Sequence, residues 1–428
     1  MEKKIGFKSN LGWIFIGNII HAVLQFILNI YIARVFTTDT YGLVNYSASI
    51  VAFFTSIGTL GVDGIITKKF AEDESKAGDY LGTAVAGRLI FSIFAIVALQ
   101  VFVRFFNSSD KELPLIVFFQ SLSLIFGSFD LLIYWFRFRG RANICAITKL
   151  IAFLISAVWR IFAVAGLKSV ECYVAGVSLE TAIYCLILFY LYRREYPRFR
   201  LSKTCFFQMI SCSYPFIFSA LLSTIYGQTD KIMLKSMIDN NAVAVYSVSL
   251  TLAGAIVIIP TSLIEGFRPE IMTYKMNDQY MYHRRLKQLY AVVFWICMIY
   301  CIFMTVFSRW VILLIYGSKY VEAIPSLSLV VWYTSFSYFG AINNIYMVAE
   351  NKTKWVQITT LTGAILNIIL NALLIPKLGI VGAAGASLIT QIIANFVLLY
   401  LVPPLREDFY LILEAITLRG VLPKYPKK

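Results

Sequence analysis

Three basic residues lie inside stretches that are otherwise apolar, where a charged side chain could do chemistry. They are Arg88 in VAGRLIFS, Arg160 in AVWRIFAV and Lys231 in TDKIML. Acidic residues occur in similar surroundings at four positions: Asp63, Asp130, Glu180 and Asp230. A charge in hydrocarbon is costly, so such a residue normally faces a partner or a water-filled cavity. Cations that line a cavity would bind an anionic group such as a phosphate.

These charges predict a binding site rather than a catalytic one. We select Arg88, Arg160 and Lys231 as candidate substrate-binding residues, together with the acids Asp63 and Asp230. Structural ion pairs are the alternative, and the side chains of Arg160 and Lys231 could also extend to the membrane surface. The sequence has no GxSxG, P-loop or HExxH motif, so we expect no enzymatic activity and no nucleotide site.

Uncharged polar residues recur at helical spacing in the first apolar stretch. Asn18, His21, Gln25 and Asn29 are three, four and four positions apart, which places them on one face of a helix. Two later segments have the same spacing, at Asn367 and Asn371 and at Gln391 and Asn395. Such faces suit a hydrated cavity that admits sugar hydroxyls, and we add Asn18, Gln25 and Asn29 to the candidate substrate-binding residues. Hydrogen bonds between helices are the alternative.

No cofactor and no metal site is predicted. The seven cysteines form no CxxC motif, and Cys297 and Cys301, one turn apart, have no His or carboxylate beside them. His21 alone is no evidence for proton coupling, although an imidazole could exchange protons near neutral pH. Coupling to protons or to sodium therefore stays open. The net charge of +15 comes from basic loops, and without a recognition motif it does not indicate a nucleic-acid partner.

The elements that must position these residues are membrane-spanning helices. Of the 428 residues, 59% are hydrophobic and 14% charged, whereas soluble proteins average about 25% charged residues. The apolar run after the basic N-terminus is too long for a signal peptide, and we interpret it as a retained first helix. At roughly 20 residues per span, the sequence predicts twelve helices: 11–35, 41–66, 80–106, 113–136, 144–166, 170–192, 208–236, 241–265, 288–308, 323–349, 354–375 and 380–402.

The positions of the basic residues predict the orientation of these helices. Most of the 38 Lys and Arg residues lie in the two termini and in connections on the same side. Cytoplasmic loops are enriched in Lys and Arg, so we predict that both termini are cytoplasmic. The segment after Pro403 and Pro404 begins LREDFYLILEAI and ends in lysines. It could form an amphipathic helix on the cytoplasmic surface or a loosely ordered basic tail.

An internal repeat predicts two halves of six helices each. Tyr46-Ser47-Ala48-Ser49 is echoed by Tyr246-Ser247-Val248-Ser249, and Ala175–Leu179 by Ala384–Leu388. The repeats keep their order and nearly their register, which favours a duplication over chance similarity. We therefore predict an N-terminal lobe at 1–203, a C-terminal lobe at 204–404 and a basic amphipathic tail at 405–428. Repeat interfaces are where transporters usually bind their substrates.

Three segments resemble the polysaccharide-biosynthesis flippases, the Wzx-type O-antigen translocases, in a superfamily with MATE drug exporters and lipid II flippases. The first is IARVFTTDTYGLVNYSASIVAFFTSIGTLGVDGIITKKFAE, with an Arg at a helix end and then Tyr-Gly. The others are TDKIMLKSMIDNNAVAVYSVS and LIPKLGIVGAAGASL. Val245 departs from the family, which often has Gly before that Tyr. The resemblance implies an all-α integral membrane protein with a MATE-like fold, two pseudo-symmetric six-helix lobes around a central cationic cavity.

The resemblance also implies a function. A flippase of this family moves an oligosaccharide on undecaprenyl pyrophosphate from the cytoplasmic to the outer leaflet of the bacterial inner membrane by alternating access. The polymerase and the chain-length regulator of the same pathway would be partners, besides the lipid bilayer. An exporter of small organic cations is one alternative, although the cation-biased spans argue against it. A membrane O-antigen polymerase or ligase is another, although the outer loops here are short.

Overall fold

The computed structural model describes residues 7–59, 61–107, 110–195 and 198–421, and these are almost entirely helical. Long apolar runs explain this, because a backbone surrounded by lipid must satisfy its own hydrogen bonds. The helices are α1 (Phe7–Val35), α2 (Thr38–Gly58), α3 (Ile66–Glu72), α4 (Ala77–Phe106), α5 (Leu113–Gly127), α6 (Leu132–Phe138), α7 (Ala142–Ala165), α8 (Val170–Glu195), α9 (Lys203–Met237), α10 (Asn240–Ala253), α11 (Ile258–Asn277), α12 (Gln279–Ile315), α13 (Ala323–Ala349), α14 (Thr353–Ile392), α15 (Leu398–Leu401) and α16 (Arg406–Ile416).

Each predicted span falls mainly on one helix, on part of one or on two consecutive helices. Span 41–66 runs past the end of α2 at Gly58, and span 113–136 covers both α5 and α6. Span 241–265 falls on α10 and α11, which meet at an angle of 46°. Span 354–375 falls on α14, and span 380–402 begins on α14 and continues through α15. Between them α14 turns at Gly379, a residue with φ of +60°. By length and hydropathy, seven helices among the described residues can cross a membrane, or nine when each bent pair counts as one. The prediction of an all-helical, multi-pass membrane protein is confirmed, and the number of twelve membrane-spanning helices remains a prediction.

The chain forms two compact units, unit 1 at Met1–Gln228 and unit 2 at Thr229–Lys428. The division falls within α9, whereas the predicted lobes divide after residue 203. Cys205 and Met209, at the start of α9, pack into the apolar core of unit 1, which explains why this part of the helix belongs to unit 1. Unit 2 has its own core, which includes Tyr290, Phe339 and Tyr346.

Large apolar side chains also cover the outside of both units. Phe94, Phe105 and Phe106 of α4 and Trp310 of α12 are exposed. Soluble monomers rarely expose apolar patches of this extent, but these side chains are in place if the surrounding solvent is lipid. The polar residues that remain buried between the helices are therefore the ones that position a site.

The repeated Tyr-Ser segments occupy corresponding places in their units. Ser47 of α2 donates a hydrogen bond to Gln120 Oε1 of α5 at 2.6 Å, and Ser249 of α10 lies 2.8 Å from Ser326 of α13. In each unit the second span is thus joined to the fourth by a buried serine. The two helices that carry the repeated segments also begin alike, since the side chain of Thr37 caps α2 and that of Asp239 caps α10.

Candidate functional site

Arg88 and Asp63, both predicted site residues, come together as an ion pair in unit 1. Arg88 is 5% exposed in α4. Its Nη2 donates to Asp63 Oδ1 at 2.7 Å and to the Thr59 carbonyl at 2.8 Å, and its Nε donates to the same carbonyl at 3.1 Å. Thr59 caps the C-terminus of α2, so Arg88 satisfies a carbonyl that the helix end leaves open. The charge of this cation is already balanced.

Arg160 is the second predicted cation, and it too is paired. It is 2% exposed in α7, and its Nη2 donates to Glu180 Oε2 of α8 at 2.5 Å. The other carboxylate oxygen, Glu180 Oε1, lies 3.1 Å from His21 Nε2 of α1. Three helices are therefore joined through one carboxylate, as expected for a buried charge network in which each member needs the others.

A glycine makes room for the Arg160 side chain. A Cβ atom on Gly176 of α8 would lie 2.6 Å from Arg160 Cγ and 2.9 Å from Trp159 Cδ1. No real Cβ atom packs that closely, so any larger residue here would displace the arginine. The Gly176 carbonyl also accepts a hydrogen bond from Ser156 at 2.9 Å. The close approach of α7 and α8 thus depends on this position.

Two adjoining polar cavities of 260 and 230 Å³ lie within unit 1. Both are lined by Gly127, Asp130 and Thr181. The first is further lined by polar residues of four helices: Asn18, Arg137, Lys149, Glu180 and Tyr184. The second cavity contains the ion pair between Arg88 of α4 and Asp63, which follows α2. Its other polar lining residues are Thr55, Thr59, Ser92, Ser123 and Ser128. The carboxylates of Asp63, Asp130 and Glu180 and the cations Arg88, Arg137 and Lys149 therefore share one polar region.

Asp130 is the carboxylate common to both cavities. It lies in the turn between α5 and α6, where its backbone N–H bonds to the Gly127 carbonyl at 3.0 Å and its side chain is exposed. Within the described residues, the side chains of Asp130 and Lys149 make no hydrogen bond and no ion pair, and Tyr184 has a buried hydroxyl without a partner. This combination of open donors and acceptors suits a ligand with many hydroxyl groups.

Asp230, the predicted acid of unit 2, is enclosed by uncharged donors. It is 5% exposed and accepts hydrogen bonds from Asn371 Nδ2 at 2.6 Å, Ser387 Oγ at 2.7 Å and Tyr246 Oη at 2.5 Å. Asn367 donates to Ser387 Oγ at 3.0 Å and accepts from Asn371 at 3.1 Å. Asn371 Oδ1 is buried without a hydrogen-bond partner among the described residues. The cluster therefore holds one negative charge and a free oxygen, which could bind a proton or a small cation.

Lys231 is the one of the three predicted cations that stays unpaired in the described part of the chain. The residue is half-buried in α9. No hydrogen bond or ion pair reaches its ammonium group from any residue of the described ranges. An ammonium group without a partner in an apolar span keeps its full capacity to bind an anion.

The polar residues of α1 differ in what they contact. Asn18 is exposed and lines the 260 Å³ cavity of unit 1. Gln25 Nε2 donates to Asn29 Oδ1 at 3.0 Å within the helix. The structure thus brings Asn18 near Glu180 but leaves Gln25 and Asn29 paired with each other.

Several residues at these sites were not among the predicted site residues. Asp130 was recognised as a charge in an apolar span, but nothing in the sequence shows that it lines two cavities. Asn367, Asn371 and Ser387 surround Asp230 only because the turn at Gly379 folds α14 back on itself. Their regular spacing, one turn apart for the two asparagines, was the available signal.

Comparisons with known proteins identify a family and a curated relative of this chain. A family model described as "Polysaccharide biosynthesis protein" matches residues 7–266, more than half of the chain. A curated relative, the "Probable flippase AglR" of Haloferax volcanii, is 22% identical over 402 residues, covering 90% of this chain and 81% of the relative.

Solved structures share the fold. The lipid II flippase MurJ in an inward closed conformation matches with a TM-score of 0.75 and 16% identity, covering 95% of this chain and 92% of that one. An inward-facing multidrug resistance MATE transporter of the MOP superfamily matches with a TM-score of 0.64 and 15% identity, covering 92% and 96%. The all-α, MATE-like fold expected from the sequence is confirmed.

Proposed function

We propose, since this chain belongs to the polysaccharide biosynthesis protein family, that it is a flippase for a lipid-linked oligosaccharide. The observation that carries the proposal is the polar cavity system of unit 1, enclosed by helices with exposed apolar outer surfaces. Among the described residues, the Asp130 and Lys149 side chains and the Tyr184 hydroxyl in its lining have no hydrogen-bond partner. A glycan head needs such a hydrated path, while a lipid tail can remain in the bilayer. The flippase relative and the shared transporter fold support this function.

The specific substrate that we propose is a repeat unit of O-antigen or of a similar surface polysaccharide on undecaprenyl pyrophosphate. It would move from the cytoplasmic to the outer leaflet of a bacterial inner membrane by alternating access, and both termini would lie in the cytoplasm. The pathway's polymerase and chain-length regulator would then act on the product. The basic connections on one side of the chain support the orientation.

The surroundings of six residues suggest a role for each of them. The unpaired ammonium of Lys231 would bind the pyrophosphate. Asp130, Lys149 and Asn18 would exchange hydrogen bonds with sugar hydroxyls in the unit 1 cavity. Arg88 and Arg160 can contact an anion only if they give up a carboxylate partner, so we assign them to holding the shape of the cavity.

Asp230 is the proposed site of energy coupling, through a proton or a sodium ion. Its carboxylate, Asn371 Oδ1 and the hydroxyl of Ser387 are buried oxygens on α9 and α14, and oxygen ligands are those that hard cations prefer. In proteoliposomes with an imposed pH or sodium gradient, wild-type transport should accelerate with one gradient. Asp230→Asn should lose that response. Equal acceleration of both proteins would remove Asp230 from coupling.

The test of the function itself is the sidedness of the lipid-linked repeat unit. In cells that lack the protein, a membrane-impermeant probe of the glycan should find the intermediate confined to the cytoplasmic leaflet, and complementation should restore its outward transfer. Single repeat units that reach the outer leaflet normally but stay unpolymerised would support a polymerase instead. Resistance to organic cations that depends on the protein, with normal sidedness, would support a drug exporter.

A further inference from the structure

The C-terminal helix α16 carries an acid on the face that it buries. Asp408, Leu411, Ile412 and Ala415 are its buried residues, at the i, i+3, i+4 and i+7 spacing of a packed helix face. The three apolar residues join a cluster with Leu286 and Leu289 from the first third of α12. Asp408 is 0% exposed, and an ionised carboxylate in such a place would be costly unless it were paired.

The partners of Asp408 reveal its protonation state. Tyr290 Oη of α12 lies 2.8 Å from Asp408 Oδ1 and 2.7 Å from Asn343 Oδ1 of α13. Asn343 donates its amide N–H to the Asn395 carbonyl at 3.2 Å, which fixes the orientation of the amide. Tyr290 has one hydrogen and Asn343 Oδ1 can only accept it. The remaining contact therefore needs a hydrogen supplied by Asp408.

The groups around this carboxyl favour the neutral acid. Asp408 Oδ2 is buried without a hydrogen-bond partner in the described ranges. Burial raises the pKa of Asp408 to about 8, while the Tyr290 hydroxyl and Lys352 lower this pKa and Glu407 raises it. The other ionisable groups at this junction contact one another: His283 of α12 lies 3.1 Å from Glu407, Lys287 lies 2.8 Å from Glu414, and Lys275 of α11 forms an ion pair with Glu350. Lys352 donates to the Tyr346 hydroxyl at 3.1 Å, and this hydroxyl donates to Glu407 at 2.8 Å.

We propose that Asp408 is a proton-binding site, and that the bound proton holds α16 against α12 and α13. The proton completes a chain of hydrogen bonds from Asp408 through Tyr290 to Asn343. When the proton leaves, the carboxylate is buried with one oxygen unsatisfied, and the helix is released. The site lies on the side predicted to be cytoplasmic, and it does not depend on the proposed substrate.

The direction of the pH dependence follows from linkage. The docked carboxyl has a pKa of about 8, whereas a released aspartate has an ordinary pKa of about 4. The docked state thus binds the proton more tightly. Docking is strongest below about pH 4, weakens about tenfold for each pH unit up to about pH 8, and is independent of pH above that value.

Hydrogen exchange of residues 406–416 in the full chain, reconstituted in nanodiscs, tests the proposal. After correction for intrinsic exchange, the opening constant of wild-type α16 should rise about tenfold per unit between about pH 5 and pH 8. Asp408→Asn should stay docked without this slope, because its amide can donate to Tyr290 without titrating. A wild-type protein without the slope, or an Asp408→Asn protein that keeps it, would overturn the proposal.

Two controls and a second measurement complete the design. Glu414→Gln removes the ion pair with Lys287, and His283→Gln removes the contact with Glu407. Glu414→Gln should change the opening constant by a fixed factor and keep the slope. Because an imidazole can change its charge in this pH range, the slope that His283→Gln retains is the part that belongs to Asp408, and we expect that part to remain. At about pH 6, infrared difference spectra of wild type against Asp408→Asn should show a carboxylic-acid carbonyl band in the wild type. A carboxylate band in its place would equally overturn the proposal.

Discussion

Asp230 and Lys231 are adjacent in α9, but only the acid is held by other residues. The Asp230 carboxylate accepts hydrogen bonds from Asn371, Ser387 and Tyr246, whereas the Lys231 ammonium has none from the described residues. Consecutive helical side chains point about 100° apart, so neighbours in sequence can face different surroundings. The acid is held in place within unit 2, and the base remains available to an anionic ligand.

Lys231→Gln should slow flipping of the lipid-linked substrate without unfolding the protein. A hydrogen bond to a charged group is worth about 1.5–3 kcal/mol, so we expect a ten- to hundredfold loss in a proteoliposome assay, with little change in Tm. Lys231→Arg should keep much of the activity. Lys235→Gln, one turn further along α9, is the matched control. Equal activities of Lys231→Gln and Lys235→Gln would contradict a substrate role for Lys231.

The helices and the candidate charges could be predicted because both depend on local composition. Twenty apolar residues in a row specify a span wherever they occur, and a charge within one is visible at once. Arg88, Arg160 and Lys231 were identified in this way. The partners of these charges could not be predicted, since Glu180 and Asp63 are reached across helices whose rotation and depth depend on packing.

The surroundings of Asp408 and Asp130 could not be predicted for the same reason, because they depend on how helices pack and where they break. Asp408 was part of a predicted amphipathic tail, but its place on the buried face depends on contacts with α12 and α13. Asp130 lies in a break between α5 and α6 that the predicted span 113–136 passes over. A break of four residues with an unpaired carboxylate leaves no compositional trace in an apolar segment.

Arg88→Ala should destabilise unit 1, because it leaves Asp63 and the Thr59 carbonyl without their donor. An unsatisfied buried group costs about 1–3 kcal/mol, which should lower Tm by several degrees in a thermal unfolding assay. Replacing both partners, Asp63→Ala with Arg88→Ala, should cost less than the sum of the single variants. If the two effects simply add, the ion pair does not contribute to stability.

Gly176→Ala should destabilise the protein through steric overlap alone. The new methyl group would lie 2.6 Å from Arg160 Cγ, and overpacking typically costs about 1–3 kcal/mol. Gly385→Ala in α14 is the matched control, since nothing lies within 4 Å of its Cβ position and alanine favours a helix over glycine. We expect a lower Tm for Gly176→Ala and an unchanged or higher Tm for Gly385→Ala. The opposite order would show that the α7–α8 contact adapts.

Asp130 and Lys149 should affect transport but not stability, because neither side chain has a partner among the described residues that its removal would expose. Asp130→Asn and Lys149→Gln should therefore unfold at the wild-type Tm, in contrast to the paired Arg88. Each should reduce flipping if sugar hydroxyls bind in the unit 1 cavity that both residues line.

The comparison with Arg139 provides the control. Arg139, outside the cavity lining, forms an ion pair with Glu74, and Arg139→Gln should leave transport unchanged. A soluble oligosaccharide with the sugars of the repeat unit should compete with flipping in the wild type and compete less in Asp130→Asn. Open polar groups in a membrane protein are costly unless function retains them, so we expect both substitutions to reduce transport. Full transport and undiminished competition in both cavity variants would mean that the glycan takes another path.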